Sequence, residues 1–533
     1  MLVNKVLIKN GYIVDGTGEK MFSADVLIHN EKIVKIAKNI KTGYNKIINA
    51  KGLVVAPGFI DAHSHSDVQL LQNPNVREKV MQGVTTEIIG QDGIATAPLP
   101  KRYIKRWRKV LATIDGDSDK INWKFKDTKG YLKQIESLGL GQNESYLLPH
   151  GNVRIEAMGF KSKFASKKNL EKMKQIIKRE MSNGAIGLSS GIIYTPCIYA
   201  KTQELIECCK VVSELNGVFV VHQRSEADDI LTSVDEIIKI AREARVKVHF
   251  SHMKVSGLKN ANKIDKVFEK FDAARKEGLQ ITFDQYPYYA ASTVLSFILP
   301  PWVNEGGTSK LVERLKSNEL RKKIILDINN GIRGWDNTVS VSGIENIYIA
   351  SVVTNKNKDC VGKNLVEVGK IKNKPPLEAT FDLLIEEENQ VGMVEFYGND
   401  DAVVKFMNRP EQCVCTDGLP VGQKPHPRLY GSYPKILGKY VRQCKNLSLE
   451  SAISKMTSKP AKTFGFNNRG EIKLNNYADI VIFNKDTIID KATYESPRRI
   501  SKGIEYVFIN GNMVVKKGKY TPNPAGKVLR HNI

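Results

Sequence analysis

The stretch PGFIDAHSHSD, residues 57–67, runs from an apolar segment into two histidines two positions apart. In an extended segment residues i and i+2 point to one side, so His63 and His65 face the same way, as a chelating pair must. Imidazole nitrogen is a good ligand for zinc and similar ions. A strand closing on such a pair predicts a site at one end of a sheet, and the rest of the chain decides what kind of sheet.

Working outward, short apolar runs recur downstream, each followed by a helical pattern. After VVAPGFIDAH come VTTEIIGQ, ESYLLPHG, AIGLSS, GVFVVHQ, VKVHFSH, QITFDQY and QCVCTDG. Between them lie amphipathic stretches such as TQELIECCKVVSELNG (202–217), VDEIIKIAREARV (234–246) and IDKVFEKFDAARKEG (264–278). Their apolar residues recur at three- and four-residue spacing. Eight strand–helix units predict a (β/α)8 barrel of the TIM type, with its site at the C-terminal ends of the strands. Both ends of the chain read differently. Residues 1–56 and 466–533 alternate polar and apolar positions and carry the turn pairs Asp15-Gly16 and Asn510-Gly511. They are expected to build one small β-sandwich flanking a barrel over 57–465. More than a hundred residues separate Gln285 from Cys413. A connection that long carries structure of its own, so an inserted subdomain is expected at about 290–400. It contains LPPWVNEGG, a helical pattern at 308–324 and the strand-like VSVSGIENIYIASVV.

The fifth strand ends in His222 and the sixth in His252, and adjacent strand ends can converge on one ion. His249 has the opposite strand parity to His252 and is set aside. His29, His150 and His531 have no matching partner. The eighth strand ends in Thr416-Asp417-Gly418. Asp-Gly alone is an ordinary turn pair. Beside four converging histidines, a carboxylate there can hold a metal, take a proton from water and return it to a leaving amine.

Composition excludes several other classes. The 533 residues are 41% hydrophobic and 26% charged, a globular balance. No apolar run reaches the roughly 18 residues of a membrane span. The first residues lack the apolar core and cleavage site of a signal peptide, so cytoplasmic residence is expected. Seven cysteines without a CxxC pair argue against a disulfide framework; Cys208 and Cys209 sit in a helix-like stretch, and Cys413 and Cys415 read as small core residues. The net charge of +24 could mark a nucleic-acid binder. Its lysines are scattered, however, many on polar helix faces as in EKMKQIIKREM (171–181). They read as a solvated surface whose field draws a small anionic substrate.

The motifs together are narrower than the histidine pair. PGFIDAHSHSD (57–67), GVTTEIIGQDG (83–93), GLSSGIIYTPCIYA (187–200), HQRSEADDI (222–230), HFSHMKVSG (249–257), FDQYPY (283–288), LPPW (299–302), TDG (416–418) and HPRLYGSYP (426–434) occur in order along nearly the whole chain. This set resembles the amidohydrolase superfamily and, within it, the N-acyl-D-amino-acid deacylase (D-aminoacylase) family. The resemblance implies one or two zinc ions and hydrolysis of the amide of an N-acyl-D-amino acid, with Asp417 as general base and then acid. It also implies that Lys254, Tyr286 and Arg428 hold the substrate and that Tyr194 borders its pocket. An arginine can grip a carboxylate through two parallel hydrogen bonds. One position departs from the family pattern. Where many members resemble Gly-Asn-Cys-Gly, with cysteine as a metal ligand, this chain has Gly90-Gln91-Asp92-Gly93. Asp92 is expected to bind metal in the cysteine's place, as a bridge between two ions.

Hydantoinases, dihydroorotases and dipeptidases of the superfamily commonly use a carboxylated lysine in mid-barrel. Here the fourth strand ends in Leu188-Ser189-Ser190, which disfavours them. A barrel that has lost catalysis and serves only in binding is disfavoured by the intact histidines and Asp417.

Overall fold

Each of the eight apolar runs forms a strand, and the strands lie side by side in chain order. They are Phe59–Asp61, Val84–Ile89, Asn143–Tyr146 continuing as Leu148–Pro149, Gly187–Gly191, Val218–His222, Lys247–Phe250, Ile281–Gln285 and Gln412–Val414. All neighbouring pairs are parallel. The ring closes between the last strand and the first: Ala62 N donates to Val414 O at 3.4 Å and Asp417 N to His63 O at 2.9 Å. The computed structural model describes residues 5–112, 114–161 and 163–531. The first four residues of the predicted N-terminal strand lie outside them.

Period-two alternation sets what faces the barrel interior. In the fifth strand Val218 and Val220 join the inner cluster with Ile60, Ile88, Leu147 and Cys413. Phe219 and Val221 point outward against the helices, with Phe250, Ile237 and Phe271. His222 follows Val220 in parity and therefore faces inward at the barrel mouth. Three of the surrounding helices are Thr202–Glu214, Ile230–Ala244 and Ile264–Lys276, close to their predicted spans.

The two chain ends share one nine-stranded sheet. Val54–Pro57 from the N-terminal part pairs antiparallel with Ile480–Phe483 from the C-terminal part. The sheet curls back on itself: Ile33 N donates to Asn476 O at 3.0 Å and Ala478 N to Glu31 O at 2.8 Å. A shared apolar cluster including Ile8, Val26, Ile480 and Phe508 fills the space between its halves, as the predicted sandwich requires. Asn510 and Gly511 both have positive φ, 48° and 74°, and turn the hairpin between Ile504–Ile509 and Asn512–Lys516.

Between the seventh and eighth strands stands an antiparallel sheet with Gly392–Phe396 at its centre, flanked by Ala290–Val294 and Ile347–Ser351. It has its own apolar core, including Leu295, Leu311, Ile349 and Phe381. Two local expectations are corrected here. The helical pattern at 308–324 is two helices, Thr308–Leu315 and Asn318–Asn330; Ser317 breaks the run and caps the second by accepting from Leu320 N. The β-branched run at 338–342 is a helix capped by Asn337, and the strand begins only at Ile347. Among the described residues no helix is long and apolar enough to cross a membrane.

Candidate metal centre

The four histidines and two aspartates meet at the mouth of the barrel. His63 Nε2 lies 3.3 Å from His65 Nε2, and His222 Nδ1 lies 2.8 Å from His252 Nε2. Asp92 joins the two pairs: its Oδ2 is 3.7 Å from Nε2 of each of His63, His65 and His252. Asp417 Oδ1 stands 3.4 Å from His65 Nε2 and 3.7 Å from His63 Nε2. All six side chains are buried.

The backbone is bent to deliver them. Asp92, His252 and Asp417 have φ values of 54°, 32° and 47°, a region uncommon outside glycine and concentrated at functional sites. The loop carrying Asp92 is pinned by Gly90, where a Cβ would lie 2.2 Å from Leu147 O. His252 also corrects the parity argument used for His249. The sixth strand ends at Phe250, so His252 is aimed by a left-handed turn beyond it. His249 is the residue that faces inward on the strand, and it lies below the cluster, with Nε2 3.0 Å from Asp284 Oδ2.

Behind three of the imidazoles stands a carboxylate that sequence reasoning missed. His63 Nδ1 is 3.5 Å from Asp284 Oδ2, His65 Nδ1 is 3.6 Å from Asp115 Oδ1 and His252 Nδ1 is 3.1 Å from Glu226 Oε1. Metal-ligating histidines usually present their other ring nitrogen to such a partner, which fixes tautomer and orientation. Asp284 sits within the FDQYPY stretch and Glu226 four residues past His222, both readable as strand-end carboxylates. Asp115 lies in a loop after the helix Ile104–Leu111 and has no local sequence signal.

The electrostatics are those of a cation site. Burial works against a charged His63, yet Asp92, Asp284 and Asp417 raise its pKa well above the usual value. His65, opposed by burial and favoured by Asp115 and Asp417, is pushed up to about 9. Burial dominates at His222 and lowers it to about 4. Asp417 overcomes burial through Arg428 and His63 and stays well below the usual carboxylate range. The cluster therefore draws positive charge inward. Facing ring nitrogens present lone pairs to each other, and one proton satisfies only one such contact. Asp92 Oδ1 is buried with no hydrogen-bond partner. The donor atoms of His63, His65 and Asp417 lie within 4.8 Å of one another, as do those of His63, Asp92 and His252, and of His222, Glu226 and His252. Imidazole and carboxylate donors at this spacing fit zinc.

The cluster opens into a cavity of about 640 Å3, including its open end, bordered by Lys254, Tyr286, Tyr194, Glu226 and Asp417. Lys254 Nζ is 2.7 Å from Glu226 Oε2; against burial, Lys254 foremost holds Glu226 down to about 2. Arg428 is one layer behind the wall. Its Nη1 pairs with Asp417 Oδ2 at 2.9 Å, its Nη2 donates to Ser292 O at 3.3 Å and its guanidinium lies 4.5 Å from the Tyr286 ring centre. Tyr194 stands edge-on to His222, with Oη 3.2 Å from Thr293 Oγ1 of the inserted sheet.

Comparison with known proteins finds relatives along nearly the whole chain. The sequence profile of the amidohydrolase family matches residues 46–515. The D-aminoacylase of Alcaligenes xylosoxydans xylosoxydans is 28% identical over 98% of this chain and 97% of its own length. The N-acyl-D-glutamate deacylase of the same organism is 29% identical over 99% of this chain and 96% of its own. Among solved structures, the N-acyl-D-glutamate deacylase of Bordetella bronchiseptica, complexed with zinc and a phosphonate mimic of the tetrahedral intermediate, superposes with a TM-score of 0.84. It is 28% identical, with 99% of each chain covered.

Proposed function

Because this chain belongs to the amidohydrolase family, we propose that the cluster is the metal centre of an N-acyl-D-amino-acid deacylase. The reaction is hydrolysis of the amide, releasing a carboxylate and a free D-amino acid. The observation that carries this reading is the meeting of four imidazoles, Asp92 and Asp417 beside a cavity that also presents Lys254 and Tyr286. The D-configuration and zinc rest on the relatives: two are named for D-substrates, and the solved one is a zinc complex.

His63, His65, His222, His252, Asp92 and Asp417 would hold one or two zinc ions, with Asp92 between the two histidine pairs. Bound there, the metal supplies Lewis acidity toward the scissile carbonyl and the attacking water. The protein's own groups do the rest. Asp417, kept ionised beside Arg428, takes the proton of the attacking water and passes it to the leaving amine. Lys254 and Tyr286 receive the substrate carboxylate, and Arg428 reinforces that wall from behind while orienting Asp417. Holding the carboxylate on one side and the amide over Asp417 fixes the hand of the α-carbon. Tyr194 and the inserted sheet close the opposite wall and exclude water. Cytoplasmic residence belongs to the same proposal; the seven cysteines are all free, which suits a reducing compartment.

The test is a hydrolysis screen of N-acetyl-D- and N-acetyl-L-amino acids, with and without chelator. Turnover confined to D-substrates and abolished by chelator is expected. Equal turnover of both hands, or turnover indifferent to chelation, would contradict the reading.

A further inference from the structure

A second cavity, of about 1320 Å3 including its open end, lies between the barrel and the inserted subdomain. It shares a wall with the metal-side cavity: Ile94, Ile114, Tyr194 and Phe297 border both. The inner cavity is the smaller of the two. The outer one extends the inner beyond that shared wall.

Its chemistry is apolar. Trp107, Val110, Phe160, Ile193, Val294 and Leu311 contribute to its lining. Four charged side chains also border it, each with a partner of its own. Arg224 donates to Glu236 at 3.0 Å, Lys109 to Glu388 at 3.1 Å and Arg106 to Gly306 O at 2.9 Å. Asp336 accepts from Ser225 Oγ and Glu226 N, both at 2.6 Å. Arg224 and Lys109 are each paired with a carboxylate, while Arg106 has a backbone carbonyl and the Phe160 ring as its partners.

The position of the carboxylate wall decides which end of a substrate reaches it. Lys254, Tyr286 and Asp417 border the inner cavity and not the outer one. Ser292, Thr293 and Glu395 border the same inner cavity, beside that wall, and would take the side chain on the α-carbon. The acyl substituent lies across the amide, toward the shared wall. We infer that the outer cavity is an acyl channel and that the preferred substrates are N-acyl-D-amino acids with a medium to long apolar acyl chain. This rests on the deacylase reading above and names its substrate class.

The experiment compares kcat/KM of the metal-loaded enzyme on acetyl, butyryl, hexanoyl and octanoyl derivatives of one D-amino acid. Burial of each added methylene raises kcat/KM by up to about fourfold. Ile193→Trp and Val110→Trp place bulk in the channel from two different elements. Each is expected to remove most of the octanoyl gain and leave acetyl turnover within about twofold. The octanoyl-to-acetyl ratio is internal to each preparation, so partial misfolding does not imitate the effect. A flat or falling series in the wild type overturns the inference, as does a gain that survives both variants. A steeper gain from lengthening the amino-acid side chain, lost in Ile193→Trp, overturns it by assigning the channel to the side chain. Acetyl turnover with no chain-length effect leaves the deacylase reading standing, whereas no turnover on any member takes both down.

Discussion

Two groups of buried charge sit next to each other at the first and last barrel strands, and they are built on opposite plans. In one, Lys79 Nζ donates to Asp61 Oδ2 at 2.6 Å, to Ser64 Oγ at 2.9 Å and to Thr416 Oγ1 at 2.7 Å. Asp61 in turn accepts from Thr416 N and Oγ1. A lysine has three donors, and all three are used: the group is closed. In the other, starting two residues after Asp61 and one after Thr416, imidazoles and carboxylates converge on one another, and Arg428 holds the Asp417 oxygen turned away from the histidines. Both are buried, so burial alone does not distinguish structure from function here. What distinguishes them is that a lysine stands at the centre of one and facing imidazoles at the centre of the other.

The comparison breaks most sharply at Asp417. Asp417→Asn keeps the shape and removes the proton carrier, so kcat should fall by about 10²- to 10⁴-fold while the protein stays folded and retains metal. Steady-state kinetics with elemental analysis on the same sample checks this, and near-normal turnover would remove Asp417 from its role. Next in size is the closed group. Lys79→Met leaves Asp61, and Glu87 with its Oε1 3.4 Å from the lysine, without their cation and should cost about 3–5 kcal/mol in urea unfolding, with metal per folded chain unchanged. A variant as stable as wild type would mean that the group is not the structural clamp described. The smallest effect belongs to the carboxylates behind the imidazoles. Asp284→Asn and Asp115→Asn should weaken metal affinity by about 10- to 100-fold, read by competition with a chromophoric chelator. Unchanged affinity in both would make those carboxylates bystanders.

The open group was the more legible of the two, and the reason is local geometry. His63 and His65 follow from i, i+2 parity at a strand end, and His222 follows from the alternation of Val218 and Val220. His252 was found although the argument for it was incomplete, since it lies past its strand in a left-handed turn that no periodicity encodes. Asp92 was reached only through a family pattern that it departs from. Lys79 could not be read at all: in REKVMQG it looks like a surface charge, and only the barrel closing over it buries it completely. Asp115 is hidden for a related reason, because its proximity to His65 is made by the fold and not by the chain around it. Arg428 was identified, but its pairing with Asp417 depends on an approach that sequence spacing does not report. The barrel, its insertion and the joined ends were visible because each rests on a repeated local pattern.

The central claim is that the open group is a metal centre that the chemistry requires. The most direct test is the metal content of the purified protein before and after dialysis against chelator, with turnover of an N-acetyl-D-amino acid measured on the same samples. The account predicts at least one zinc per chain, loss of turnover in step with loss of metal, and recovery of both on adding zinc back. Full turnover in a preparation shown to be metal-free would contradict it.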